Sequence, residues 1–413
     1  GQPLEAVIAD FTAKEGAVCV VDLEGGFDAT DMLSWAYSGR ADLVNMDFRG
    51  VPLHAVSCNM ALSHHELDFT DGRIRFDYRK YPMRVAHKGP VDGEVKVKRV
   101  RYRNDDKLVD IEGVEGNFWA APLVRLFASE TARKLEDYRF HTPPALSGSG
   151  VVDVTRAGRT NLDVVFRSGS AATMEFLGED VVLQKPVGKV RIRGERVDVD
   201  DLATVAFGGQ LMADVSVRDG NQVSGEIHWT KVALSEVAGT YGFSMKDGGD
   251  STGRIEFELK SGRVETMNGK GLVALENAEL FSVPMFGPLS HLISGVLQDK
   301  RAGFERAKSM FCNFVIRNGV IETRDFSSFT RSLTFTGDGS VDMRDQTMNM
   351  TMRMNTHGFF SLLTLPFRPF YGMFQFRGKG PIKKPEWENV MFTSPPEEQS
   401  EVLAVPPRAR EVR

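Results

Sequence analysis

The sequence predicts a mainly β protein: a long curved antiparallel sheet, a β-groove of repeated meanders, with a few short amphipathic helices. Three observations carry that prediction. Apolar and polar residues alternate with a period of two along almost the whole chain. Turn signals built from Gly, Asn and Asp punctuate the alternating runs. Glycine is abundant, 40 of 413 residues, with no collagen period.

Taken in order, Asp22–Phe27 leads into a helical spacing over 28–38, with Asp28 as its cap and Met32, Leu33, Trp35 and Ala36 on one side. Gly72–Arg79 reads as a strand with Ile74, Phe76 and Tyr78 on one face and four charges on the other. Val95 and Val97 mark another strand. Pro122 opens a helix over 121–137 through Leu123, Leu126, Phe127 and Leu135. Val190/Ile192 and Val197/Val199 are strands, and Leu234, Val237, Ala238 and Tyr241 form a shorter helix over 233–242. Arg254–Lys260 repeats the strand device with Ile255, Phe257 and Leu259. Pro288 opens a helix carrying Leu289, Leu292, Ile293, Val296 and Leu297. Leu333/Phe335 and Val341/Met343 precede Met348, Met350, Met352 and Met354, which alternate with Asn349, Thr351, Arg353 and Asn355. A last helix is expected over 356–365. Turns are expected at Thr70–Gly72, Gly148–Gly150, Arg218–Asn221, Lys260–Gly262, Arg317–Gly319 and Thr336–Gly339.

Three segments resemble one another: Val100–Gly113, Val215–Ile227 and Val341–Met352. Each reads as strand, polar turn and returning strand, followed by a helix candidate at 121–137, 233–242 or 356–365. The repeat divides the chain into 1–40, the tail of a preceding copy; 41–138 and 139–245, each a meander plus helix; a C-terminal region over 246–392; and a Pro/charged tail over 393–413, expected to be disordered. On this reading residue 1 falls inside an array, with an upstream part of the same chain missing.

Composition and motifs narrow the function. A net charge of −5 removes the basic footprint of a nucleic-acid binder. Cys19, Cys58 and Cys312 lie far apart without a Cys/His cluster, which fits buried thiols or a single bridge but no zinc site. His64-His65-Glu66 with Asp68 is a His/carboxylate cluster, but adjacent strand histidines point to opposite faces, so a solvated turn is the expected setting. No GxSxG elbow, paired-acid site or phosphate loop stands out. The expectation is a non-enzyme with no catalytic residue, no metal and no cofactor. No apolar run approaches the ~18 residues that span a bilayer.

A sheet with one apolar face must close, stack, or take something else against that face. The apolar positions are Val, Ile, Met and Phe, and 17 methionines suit a surface that accepts varied apolar partners. From patterning alone, a trough for acyl chains and an ordinary packed core both remain open. If it is a groove, its lining is Ile74, Phe76, Tyr78, Ile255, Phe257, Leu259, Leu333, Phe335, Met350 and Met352. The helix bearing Leu289, Leu292, Ile293 and Val296 would cap it, and the dense apolar run over 359–374 fits a groove end or membrane contact, or burial in a core.

Over 250–392 the order of motifs resembles the AsmA-like C-terminal region. Gly269–Ser290, Phe304-Glu-Arg-Ala307, Phe314–Ile321, Phe335–Asp342 and Phe376–Trp387 follow one another as similar blocks do in that family. The resemblance implies a bacterial envelope protein anchored in the inner membrane and reaching through the periplasm. Its β-groove would carry phospholipid or another acyl lipid towards the outer membrane, in outer-membrane biogenesis. Arg368, Arg377, Lys379, Lys383 and Lys384 would meet anionic head groups. A structural envelope scaffold with a packed core is the alternative. An outer-membrane barrel fits less well, because barrel strands carry less charge on the outer face.

Overall fold

The structure is a computed structural model. It describes residues 11–48, 50–77, 92–125, 133, 135–155, 157–219, 221–243, 245, 248–277, 286, 288–289, 292–293, 309–331, 333–356 and 374–390. Its 22 strands belong to one antiparallel sheet that does not close on itself, and only two short helices accompany them as complete elements. The chain forms two compact units, Gly1–Thr204 with Arg218–Gly220, and Val205–Val217 with Asn221–Arg413.

The first unit opens with β1 (Phe11–Asp28), β2 (Asp31–Phe48), β3 (Val51–Ser63), β4 (Glu66–Asp77), β5 (Asp92–Arg103) and β6 (Leu108–Asn117). Each pairs with the next in sequence. A short helix, α1 (Ala120–Arg125), and the two-residue β7 (Arg139–Phe140) follow. Then come β8 (Ala145–Asp153), β9 (Asn161–Arg167), β10 (Ala171–Phe176), β11 (Glu179–Arg193) and β12 (Arg196–Ala206). The 15-residue β11 pairs with β10 along its first half and with β9 along its second. That interruption runs across several strands. Pro143 and Pro144 separate β7 from β8, Ser168–Ser170 separates β9 from β10, and Lys185 takes a positive φ before Pro186. Proline withholds a ladder donor, so the break falls where prolines stand. Thr142 and Ser170 hydroxyls meet across it at 2.7 Å.

The second unit holds β13 (Gly209–Arg218), β14 (Gln222–Ala233), the helix α2 (Leu234–Thr240), β15 (Asp250–Lys260) and β16 (Arg263–Glu276). The ladder continues through β17 (Ser309–Arg317), β18 (Val320–Phe329), β19 (Leu333–Asp342), β20 (Thr347–Thr356), β21 (Phe374–Pro381) and β22 (Glu386–Val390). The expected Asn-Gly turn closes β17 and β18, with Asn318 and Gly319 both at positive φ, as a two-residue type I′ hairpin requires. Helices appear at α1 and α2 as expected. Of the helix after Pro288, Leu289, Leu292 and Ile293 are described and helical. The 356–365 helix, the apolar run before Phe374 and the C-terminal tail lie outside the described residues. All three resembling segments are strand, turn and strand.

Two expectations are corrected. Residues 28–38 form no helix: β1 and β2, 18 residues each, are a hairpin turning at Asp28–Asp31. Asp28 Oδ1 accepts the Thr30 N–H at 2.8 Å and Asp31 Oδ1 accepts that of Leu33 at 2.9 Å. These are the local bonds with which aspartate favours turns as readily as helix caps. Met32, Leu33, Trp35 and Ala36 fit a helical period, but Leu33, Trp35 and Tyr37 fit an alternating one, and the ladder decides.

Three glycine motifs read as turns also lie inside strands. Thr70–Gly72 is in β4, Gly148–Gly150 in β8 and Gly337–Gly339 in β19. Asp71 is a bulge at positive φ, while the others sit opposite bulky residues. Gly148 faces Val164 and Gly150 faces Leu162; Gly337 faces Met352 and Gly339 faces Met350. The device recurs across the sheet. A Cβ on Gly378 would lie 2.6 Å from the Trp387 ring, one on Gly253 2.4 Å from the Trp229 ring, and one on Gly271 2.5 Å from the Phe314 ring. Much of the glycine excess is therefore space beneath large side chains rather than turns.

At Gly378 the three nearest atoms all belong to the Trp387 ring, so Gly378→Ala is expected to destabilise the second unit by about 1–3 kcal/mol through overpacking. The loss should shrink when measured in a Trp387→Leu background. Urea unfolding of the four members of this double-mutant cycle reads the coupling; equal losses in both backgrounds would refute the contact.

Candidate apolar binding face

Alternation gives most strands one apolar and one polar or charged face. On the charged face, ions pair along and across strands. Asp68 accepts from Arg99 Nε at 2.9 Å and Nη2 at 2.6 Å, Arg191 Nε reaches Asp200 at 2.6 Å, and Arg193 Nη2 reaches Asp163 at 2.6 Å. Most of these pairs are well exposed, and such pairs contribute about 0–1 kcal/mol each. Some members are buried: Arg353 pairs with Asp338, Asp153 with Arg159 and Asp68 with Arg99. His65 lies in an exposed bend and its Nδ1 meets Asp105 at 2.9 Å.

The apolar face of the second unit is closed in one part. Phe335, Met350, Met352, Met354 and Phe376 are buried together with Leu275, Met310 and Phe326 beneath Phe286, Leu289 and Ile293. Leu333 joins them with no exposed surface. The Phe286 ring lies 5.6 Å from that of Phe326 on β18 and 6.2 Å from that of Trp387 on β22. A flat sheet would hold those strands four spacings, roughly 19 Å, apart. The sheet curls and Trp387 leans across Gly378 to bring the rings round Phe286. Thus Leu333, Phe335, Met350 and Met352, four of the ten expected lining residues, and Leu289 and Ile293 of the expected cap come together in a core filled by the chain itself. Leu292 packs at its margin, and Val296 lies outside the described residues.

Ile255, Phe257 and Leu259 differ. They are half-buried and join neither of the two buried clusters. Across the ladder they meet Ile227, Gly225 and Val223 on β14, and Ile255 and Phe257 meet Gly271 and Gly269 on β16. Gly269 leaves Phe257 unhindered by bulk on β16, while the Phe314 ring of β17 lies over Gly271 beside Ile255. Together with Val223 and Ile227 they make an apolar strip with partial solvent contact.

The first unit shows the same division. Phe76 is buried with Val51, Leu53, Val95, Phe118 and Trp119, and Ile74 packs against that cluster. Tyr78 lies outside the described residues. The cluster is closed by the segment entering α1, where Trp119 Nε1 donates to the Phe140 carbonyl at 3.2 Å. Farther along, Leu162, Val164 and Phe166 on β9 face Ile192, Val190 and Gly188 on β11, all but Gly188 half-buried. The β9 residues were absent from the expected lining. The signal was present in Asn161–Arg167, where Leu162, Val164 and Phe166 alternate with polar or solvent-facing positions.

The three cysteines are free thiols; Cys19 is exposed, Cys58 and Cys312 are half-buried. Burial pushes the Cys312 thiol up to about 11, although its bond to Thr323 Oγ1 at 3.2 Å opposes the shift. Burial also raises Cys58. Among the described residues no group of three or more His, Cys, Asp or Glu side chains is arranged to hold a metal. No helix among them is long and apolar enough to cross a membrane.

What the fold and face define is an open antiparallel sheet with one apolar surface, closed in places by its own chain and half-open in others. No family model, no curated protein and no solved structure matches the chain.

Two outcomes follow from the burial pattern. Phe335→Ala should lower unfolding free energy by about 3–5 kcal/mol, as a cavity in a closed core does, whereas Phe257→Ala should lose less than half as much. Urea denaturation measures both. The Cys312 thiol is held neutral in the fold, so the folded state retains its proton between the ordinary value of 9.0 and about 11. Its contribution to stability is present below pH 9 and is lost as pH rises through about 11. A thiol-disulfide reagent at pH 8 should therefore modify Cys19 well before Cys312, read by peptide mass spectrometry.

Proposed function

We propose that this chain is a non-enzymatic lipid-binding protein of the bacterial envelope, whose half-exposed apolar strips hold the acyl chains of phospholipid. The observation that carries the reading is the strip Val223, Ile227, Ile255, Phe257 and Leu259, apolar and incompletely covered on a sheet whose other face is charged. Leu162, Val164, Phe166, Val190 and Ile192 offer a second such strip within the first unit. Removing a methylene from water is worth about 0.8 kcal/mol, so an acyl chain laid on either strip is held without any polar anchor. A surface of uniform apolar character has no deep trap, which suits movement of lipid along it. The motif order over 250–392 supports membership of the AsmA-like family. With it come the proposals of an inner-membrane anchor elsewhere in the protein, a periplasmic location and transfer towards the outer membrane.

A second reading has its own support. The closed core around Met352 and Phe335 is what a structural envelope scaffold with no ligand would show throughout.

Native extraction and lipid mass spectrometry separate the two. Purified protein should carry stoichiometric phospholipid, and Phe257→Asp and Ile255→Asp, confirmed as folded by circular dichroism, should lose at least half of it. Protein that emerges free of lipid, and that takes up none from vesicles, would establish the scaffold.

A further inference from the structure

Ion pairing on the charged face of the second unit changes character between β19 and β21. Glu322 of β18 accepts from Arg317 Nη1 at 2.6 Å, and Asp342 of β19 accepts from Arg344 Nε at 2.9 Å. Asp338 of β19 pairs with the buried Arg353. Each of these acids has an arginine of its own. Two strands on, β21 presents Arg377 and Lys379, which have no bonded partner among the described residues. Both line an open cavity of about 320 Å³, together with Asp338, Ser340, Asn349 and Thr351. The ladder sets this lining in two rows: Ser340 faces Asn349, which faces Lys379, and Asp338 faces Thr351, which faces Arg377. Residues two apart on a strand lie roughly 7 Å from one another, so the rows bracket a space of that width. Glu386 and Glu388 stand opposite Lys379 and Arg377 on β22, but they are exposed and do not line the cavity.

We propose that this cavity binds a phosphoryl oxyanion. Asp338 brings one negative charge to the lining, but Arg353, only 3% exposed, already holds it. Two cations are left for a ligand, with the Ser340 and Thr351 hydroxyls and the Asn349 amide uncommitted among the described residues. An arginine fork takes two oxygens of a phosphate and a lysine supplies a point charge to a third. The hydroxyls and the amide donate to what remains, which a planar carboxylate would not fill. A cavity of this volume stands at the small end of ligand sites, and suits a phosphate carrying a group the size of glycerol. A soluble phosphate ester and the head group of an anionic phospholipid both offer that group. Of the five cations expected to meet head groups, Arg377 and Lys379 share the cavity, whereas Lys383 lies over the Phe243 ring, 5.1 Å from its centroid. The site is on the face opposite Ile255 and Phe257, and is independent of acyl chains held there.

Calorimetric titration of the full chain with glycerol phosphate is expected to show saturable binding that inorganic phosphate displaces. Arg377→Gln/Lys379→Gln should weaken it about tenfold or more. Lys383→Gln/Lys384→Gln makes the same change of charge outside the cavity, and should leave the affinity within about twofold. Flotation with phosphatidylglycerol vesicles then distinguishes the sources. Flotation that glycerol phosphate blocks, and that Arg377→Gln/Lys379→Gln abolishes, assigns a lipid head group. Saturable binding of glycerol phosphate without such flotation assigns a soluble phosphate ester. No saturable binding, or equal losses in the two double variants, overturns the proposal. Protein that carries no phospholipid removes the acyl-chain reading and leaves this titration unaffected. Unchanged urea midpoints confirm that the variants fold.

Discussion

Trp387 over Gly378, Trp229 over Gly253 and Phe314 over Gly271 are versions of one contact, a large ring laid across a neighbouring strand at a residue with no side chain. The rest of the structure depends on it. A sheet with so little helix to cover it has few ways of removing apolar surface from water. Ring-on-glycine pairs bury aromatic area within the sheet itself, and they let the sheet curl towards the face that holds the rings. In the second unit that curl brings β18 and β22 round Phe286, and the chain there supplies its own lid. Beside Ile255 the rings of Trp229 and Phe314 are present without such a lid, and the face there stays half-open.

Closed and half-open regions thus differ in what lies over them, while the alternation beneath is the same. Met350 and Phe257 occupy equivalent places in their strands, each opposite glycine on both flanking strands. Met350 is buried because it belongs to the cluster under Phe286, Leu289 and Ile293; Phe257 belongs to no such cluster. A ligand proposal therefore belongs to the second kind of position. The charged face contributes solubility and strand register through pairs such as Arg99–Asp68, and little net stability.

How much of this is legible in the sequence depends on the range over which each feature is encoded. Strands such as Arg254–Lys260 and Thr347–Thr356 are written in their own residues, because a period of two is a local property. The glycines of β8 and β19 are misread for the same reason. Gly148-Ser-Gly150 looks like a turn until its partners Val164 and Leu162 are known, and those lie a strand away. The stretch at 28–38 satisfies two periods at once, and only the partner strand β1 resolves it. Whether Leu333 or Ile255 is covered is encoded farther off still, in the position of Leu289 and Ile293. Alternation therefore found the apolar face, including Phe76 and Met352, but not which parts of it are shut. It also carried Leu162, Val164 and Phe166, whose strip became visible only once β11 stood beside β9.

Sequential pairing has a kinetic side. From β1 to β6, and again from β14 to β22, each strand hydrogen-bonds the strand that follows it in the chain. Most of its contacts join strands adjacent in the chain, unlike those of Greek-key sandwiches, where distant segments must find one another first. Such a ladder has low contact order for a β protein. Any hairpin serves as a nucleus and neighbouring strands add in turn, as in repeat proteins of quasi-one-dimensional build. A chain emerging from the ribosome can then deposit each strand on the last, so that the sheet grows at one edge as synthesis proceeds.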